Sequence, residues 1–321
     1  MSYNYGFVGI NNIQENTVPT VLLNNFVSFV EWGFLDKGGF TNLTRPASGM
    51  YGGEKTTLKL ATDPNYQDGQ VWQAFRQNWV WESGVSTTTQ PTAISGIYVN
   101  NAFRPYAYNP SSGFYCGSGY KIDYPNGRVI FDTPLPANSN ISLNYPYKIV
   151  KVDKSHGYPF FREIQNGSMR LDQNFFTSSG DWAKLGDTRI QLPAVFVELA
   201  DEAFRPLQLG GGQWLETDFV FYVLAENKSV CNNIADAIAF QKERTIKIYN
   251  SNTVSKSGIY ALNHNGSLVN KSYTYPYLID NYNYGGCFIK DANVSKATQL
   301  SLSLFISTVR YSTEVQMTNL P

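Results

Sequence analysis

The run RIQLPAVFVELADEAFRPLQLGGGQWLETDFVFYVLAENKSVCNNIADAIAFQKERTIKIYN, residues 189–250, constrains the fold more than any other part of the chain, because its hydrophobic period changes from two to helical and back. Pro193 cannot donate to a sheet ladder, so the first strand is predicted to lie near a sheet edge or to start after it, over Ala194 to Leu199. Gly210, Gly211 and Gly212 then punctuate the chain, and Asp218 to Leu224 carries an apolar FVFYV too short for a helix, which reads as a buried strand. Ser229 is placed to cap a helix whose Val230, Ile234, Ala237 and Ile238 share one face, while Asn232, Asp236 and Glu243 fall opposite. Lys242 and Arg244 suit the negative end of that helix, and Thr245 to Tyr249 resumes as a strand. The expectation is an α+β fold, a sheet with packed helices; a sandwich with a single helix is the alternative.

Elsewhere the pattern is patchier. Thr17 to Gly33 has Pro19 in a first turn and Leu22, Phe26, Phe29 and Val30 at helical spacing, with Gly33 as its stop. Thr56 to Thr62 and the aromatic-rich Val71 to Trp81 read as strands, and the polar STTTQPTA from Ser86 reads as a linker. Beyond it, Gly96 to Asn100, Tyr120 to Tyr124, Arg128 to Asp132 and Ile141 to Tyr147 are short strands, and Pro125-Asn126-Gly127 closes a hairpin. These predict a small all-β unit over 93–152, inserted into an α+β core made by 1–92 and 153–321. Ser255 to Tyr284 is expected to be a long irregular loop packed by its tyrosines, and Gln299 to Ser307 a strand, the strongest period-two signal in the chain.

Chemistry is harder to find. Equal numbers of basic and acidic residues, 25 each, give no bulk charge that would draw nucleic acid or an acidic partner. The three cysteines, Cys116, Cys231 and Cys287, are too scattered for a CxxC site and suit a reducing compartment. His156 and His264 lack neighbouring ligands, and the triple glycine is followed by Gln213 and Trp214 where a phosphate loop needs Lys and Ser or Thr. Asp181 with Asp187 and Glu198 with Glu202 are the carboxylate pairs available to a hydrolase, at spacings common in loops and strand ends. No catalytic, cofactor-binding or metal-binding residue is assigned, and no cofactor is expected. The start MSYNYGFVGINN lacks the form of a secretory signal and no stretch reads as long enough to span a membrane, so a soluble protein made in the cytoplasm is expected. Tyrosines and phenylalanines, 22 and 20, suit lasting contacts with other proteins. Tyr98, Tyr106, Tyr108, Phe114, Tyr115 and Tyr120 would line a sugar site if the β-unit were a glycan-binding domain.

The helix followed by WGFLDKGGF, the QVWQAFRQNWVWESGV segment, the β-unit carrying GYKIDYPNGRVIFDTPLP, and the series QLPAVFVEL, RPLQLGGGQWLETDFVFYVLAEN and NNIADAIAFQKERTIKIYN resemble neck and tail-completion proteins of tailed bacteriophages, in order over most of the chain. The resemblance implies a virion structural protein without enzymatic activity. Its partners would be itself, as a sixfold ring, then the head connector or adaptor and the tube or sheath proteins of the tail, with genomic DNA passing through. The ring would terminate the tail. A receptor- or glycan-binding virion protein is the other reading kept.

The turn from Phe204 to Trp214 exceeds the two to five residues a hairpin usually needs, which points to a role beyond connection. Arg205 and Trp214 are side-chain types enriched at binding hot spots, and glycines permit close approach of a neighbour. Arg205, Gln208, Gly210, Gly211, Gly212 and Trp214 are therefore the candidate subunit-interface residues, at a protomer contact or on the ring lumen.

Overall fold

The computed structural model describes residues 12–45, 55–82, 85, 94–155, 191–207, 212–269, 273–301 and 304–317. The protein is mostly β, with 46% strand and 19% helix, so the α+β expectation is overturned: two sheet systems dominate and the helices only line one of them. Sixteen strands and four helices are described.

Helix α1, Val18–Asp36, starts with Pro19 in its first turn and puts Leu22, Phe26 and Val30 at 0–6% exposure into the main core. It runs three residues past Gly33 and ends where Gly38 takes a φ of 79°, so the left-handed glycine terminates it. At 19 residues it has the length and apolarity to cross a membrane, contrary to the expectation for this chain, yet its apolar stripe packs on the sheet.

Strand β1, Phe40–Leu43, pairs with β10, Tyr145–Lys148, and leads into a closed eight-stranded barrel. The barrel takes β2, Thr57–Leu60; β3, Val71–Gln73; β4, Gly96–Val99; β5, Ala102–Asn109; β6, Phe114–Gly117; β7, Tyr120–Asp123; β8, Arg128–Phe131; and β9, Ile141–Ser142, in the order β2-β3-β8-β7-β6-β5-β4-β9. It thus draws in β2 and β3, which lie outside the 93–152 span of the expected unit. The predicted hairpin joins β7 to β8, with Gly127 at φ 63°. Trp72, Trp79, Tyr106, Tyr120, Tyr124 and Tyr145 help fill the interior, as side chains do in a barrel of this strand number.

The second system is a six-stranded sheet, ordered β11-β12-β13-β16-β15-β14. It comprises β11, Lys151–Lys154; β12, Ala194–Leu207; β13, Gly212–Ala225; β14, Arg244–Tyr249; β15, Asn283–Ser301; and β16, Leu304–Met317. Helix α2, Lys228–Ala239, connects β13 to β14; its cap is Asn227 rather than Ser229, the Asn227 Oδ1 accepting from the Ser229 and Val230 amides. The alternating run at 299–307 is not one strand: it ends β15 and begins β16, so the period continues across a chain reversal. The expected irregular stretch 255–284 also holds structure, with α3, Ser251–Lys256, entering it and α4, Tyr275–Asn281, within it. Between them Leu268 is fully buried in the barrel core, and the Tyr115 and Tyr124 amides donate to the carbonyls of Leu268 and Gly266. The two systems are therefore interlocked. Gly266 has no substitute there, since it sits at φ 73° and a Cβ would lie 2.3 Å from Asp123 Oδ1.

Candidate functional site

Side chains alternate across a strand, and among the described residues helices pack on one face of the long sheet. Leu215, Thr217, Phe219, Phe221 and Val223 of β13 are buried on the face that meets α1 and α2, with Val309, Tyr311 and Val315 of β16 beside them. Asn25 fixes α1 in place: its side chain donates to the Tyr249 carbonyl at 2.9 Å and accepts from the Tyr249 amide at 2.8 Å. The other face carries Trp214, Glu216, Asp218, Val220 and Tyr222, all partly exposed. A bulge between Leu199 and Asp201 shifts the register of β12, so that Asp201, Ala203 and Arg205 lie opposite Asp218, Glu216 and Trp214. A second bulge, between Ile289 and Asp291, does the same for β15 and sets Asp291, Asn293 and Ser295 opposite Ser312, Arg310 and Thr308.

Toward the hairpin tip this bare face is polar and interlaced with charge, whereas at its other end Ala194, Phe196, Leu224 and Leu304 are buried in an apolar cluster with Leu192, Tyr222 and Ile306. Arg205 reaches Glu216 at 2.8 Å, Arg310 reaches Asp218 at 2.6 Å, and Lys290 lies 2.5 Å from Glu314 and 3.7 Å from Glu216. Glu216 and Glu314 are directly opposite each other, a pairing that repels unless a cation lies between them. Lys290 supplies it, and its hydrogen bond to Glu314, with the attraction of both carboxylates, raises its pKa above the ordinary lysine value. Asp153, Glu198, Asp201 and Asp291 add further acids and Lys151 and Lys247 further bases, so seven carboxylates share the face with five cations. Such a surface is suited to water and to repelling a polyanion, not to an apolar partner.

Of the sequence-predicted interface residues, Arg205 and Trp214 face each other as Cα partners near the tip of the β12–β13 hairpin, and Gly212 opens β13. Gln208, Gly210 and Gly211 lie outside the described residues. The eleven-residue turn inferred from Phe204 to Trp214 is mostly ladder, and the connection is 208–211. Pro206 pairs with Gln213 on a strand whose far side has no strand beside it beyond Val197 among the described residues, a place where proline is tolerated.

Two concave regions carry other chemistry. A cleft of about 410 Å³ lies between α1, α3, α4 and the start of the barrel, walled by Trp32, Trp81, Tyr260 and Tyr275. Beside it Lys148 Nζ is buried against Glu82 at 2.5 Å and Glu31 at 2.7 Å, with Glu82 itself 4% exposed. Burial acts to lower the Lys148 pKa, but the two carboxylates outweigh it and hold the ammonium above its ordinary value. Burial raises Glu82 despite the attraction of Lys148. The second region, about 370 Å³, lies on the barrel's outside and is lined by Asp63, Tyr66, Asp123, Asn126, Arg128 and His264. Arg128 pairs with Asp63 at 2.9 Å, and burial raises Asp123 against the opposing pull of Asn126 and Arg128.

The sequence-stated chemical candidates do not converge. Glu198 and Glu202 fall on opposite faces of β12 because the bulge lies between them. Asp181, Asp187 and His156 lie outside the described residues. Among the described residues no group of three or more His, Cys, Asp or Glu side chains could hold a metal ion. Cys231 and Cys287 are buried, which raises their thiols to about 11 and about 12, values that suit inert core positions. Of the aromatics considered for a sugar site, Tyr106 and Tyr120 are consumed by the barrel core, whereas Tyr108 is 49% exposed and Tyr98 stacks under Arg45. Sequence reasoning missed Asn25 and the Lys148 cluster, whose partners are 66 to 224 residues away and leave no local trace.

Fold and surface define a β-rich protein with a closed barrel, whose core takes Leu268 from the segment between β14 and β15, and a long sheet with helices on one face. Compared with known proteins, the chain matches no family model and no curated protein.

Proposed function

We propose that this chain is a structural protein of the neck of a tailed virion, assembling into a ring that closes the tail and leaves a passage for DNA. The observation that carries this reading is the bare face of the six-stranded sheet. Its central strands are 14 to 19 residues long, helices cover one face, and the other is polar with a modest excess of carboxylates over the half nearer the β12–β13 hairpin tip, the far end being an apolar cluster around Phe196 and Leu224. A passage for a polyanion calls for a wetted wall with more acid than base, which the half of the face nearer the hairpin tip supplies. The resemblance of the motifs to tail-completion proteins points the same way. Negative-stain images of the purified chain test it, with closed rings around a stain-filled hole as the expected result; compact monomers or trimeric stalks would contradict it.

A receptor- or glycan-binding virion protein is the second reading, favoured by the Asp-, Asn- and Tyr-lined hollow on the barrel. Binding to a glycan array that Asp123→Asn abolishes would support that reading over the first.

A further inference from the structure

The two borders of the sheet are unequal. On one side β11 pairs with β12 only over Ala194 to Val197, and on the other β14 pairs with β15 only between Asn283 and Ile289. The remaining outer edges, residues 198–207 of β12 and 290–295 of β15, have no strand beside them among the described residues, whereas farther along β15 the Ala297 amide donates to Asn232 of α2. By contrast, the edge of β14 is closed by side chains: Asn25 holds both backbone groups of Tyr249, and the Tyr275 hydroxyl donates to the Lys247 carbonyl. Long unpaired edges recruit another strand unless they are blunted.

We infer that the open edge of β12 in one copy joins the open edge of β15 in the next, continuing the sheet from protomer to protomer. The inference rests on the ring reading above and names the contact that closes the ring. Four features support it. β12 and β15 run antiparallel within the sheet, so copies related by rotation present them to each other antiparallel, a head-to-tail contact that can close. The edges differ in charge: Glu198, Asp201 and Glu202 outnumber Arg205 on β12, whereas β15 carries Lys290, paired within the chain with Glu314, and Lys296, paired with Asp236, beside a single acid, Asp291. Pairing β12 with a second β12 would oppose acid to acid. Each edge also has a bulge-free window, Asp201 to Leu207 and Asp291 to Ser295.

The windows also select a register. Placing Ala203 opposite Asn293 of the next copy aligns the bare faces of both sheets and sets Arg205 against Asp291. It brings Phe204, 51% exposed on the helix-bearing face, against Ala292. The neighbour must slide by a few residues to clear β14, a stagger that closed sheets require in any case.

The test is a cysteine pair, Ala203→Cys with Asn293→Cys, in the full chain with Cys116→Ser. Mild oxidation is expected to yield a covalent ladder that rises to the ring size on a non-reducing gel and is absent from either single variant. Arg205→Cys with Asp291→Cys reads the same register should the first pair fold poorly. Rings in the images without a ladder from either pair would overturn the edge contact and leave the ring reading standing. Monomers with no ladder would remove both, and dimers from Ala203→Cys alone would replace the contact with a twofold β12 pairing.

Discussion

The barrel and the six-stranded sheet solve the same problem differently. The barrel pairs β2 with β9, leaves no border, and packs Trp72, Trp79, Tyr106, Tyr120 and Tyr124 inside. The sheet has two borders, lets α1 and α2 cover one face, and leaves the hairpin-tip half of the other open, while Phe196, Leu224 and Leu304 are buried at its far end. Closure makes a unit that is complete within one chain. An open sheet with a polar bare face is incomplete in a specific direction, which is why assembly is assigned to the sheet.

The comparison breaks most severely at the barrel core. Trp79 is 1% exposed, stacks on Tyr145 at 4.7 Å and donates to the Arg76 carbonyl. Trp79→Ala is expected to cost about 4 kcal/mol, measured by urea unfolding with intrinsic fluorescence. An effect below about 1 kcal/mol would show that the barrel is not packed as described.

At the joint between the two regions, Lys148→Met should cost about 3 kcal/mol, because Glu82 and Glu31 lose the cation between them. The pH dependence has a defined sign. Lys148 has a raised folded pKa, so its contribution is complete below the unfolded value of 10.5 and is lost as pH rises through the folded one. Glu82 is a raised carboxyl, so its ionisation costs stability and that cost fades as pH falls through the raised value toward 4.5. Glu82→Gln should therefore look better relative to the parent at pH 7 than at pH 4.5. The same difference at both values would contradict the burial that causes the shift.

In the sheet, Asn25→Ala strands the amide and carbonyl of Tyr249 and is expected to cost about 2 kcal/mol. The smallest effect on the fold is predicted for Trp214→Ala, on the bare face near the hairpin tip. Contrary to the expectation from residue type, it should leave circular dichroism, the unfolding midpoint and ring assembly nearly unchanged, because Trp214 lies on β13 inside the sheet and not on the β12 or β15 edge; loss of rings would bring β13 into the contact.

What could be read from the sequence follows from how local each cause is. The β7–β8 hairpin depends on Gly127 between two alternating runs, and α1 on its proline and apolar spacing, so both were legible. The extent of β12 was not, because Pro206 and the glycines resemble a loop when the ladder partner is unseen. The strand signal near residue 300 was real but misassigned, since a period of two does not reveal where a chain reverses. The α+β reading failed for a related reason: the helices have strong local signals, whereas β15, with its bulges at 289–291, 295–298 and 299–301, breaks its own period and hides. The bare face was legible only in part. Arg205 and Trp214 stood out by residue type, but Lys290, Glu314 and Arg310 become a surface only once four strands are placed side by side.

The measurement that bears most directly on the sheet as an assembling surface is the native mass of the intact chain at micromolar concentration and physiological salt. The account predicts a single closed species at a whole multiple of 36.0 kDa, larger than a dimer and unchanged on tenfold dilution. A protein that remains at 36.0 kDa under those conditions would contradict it.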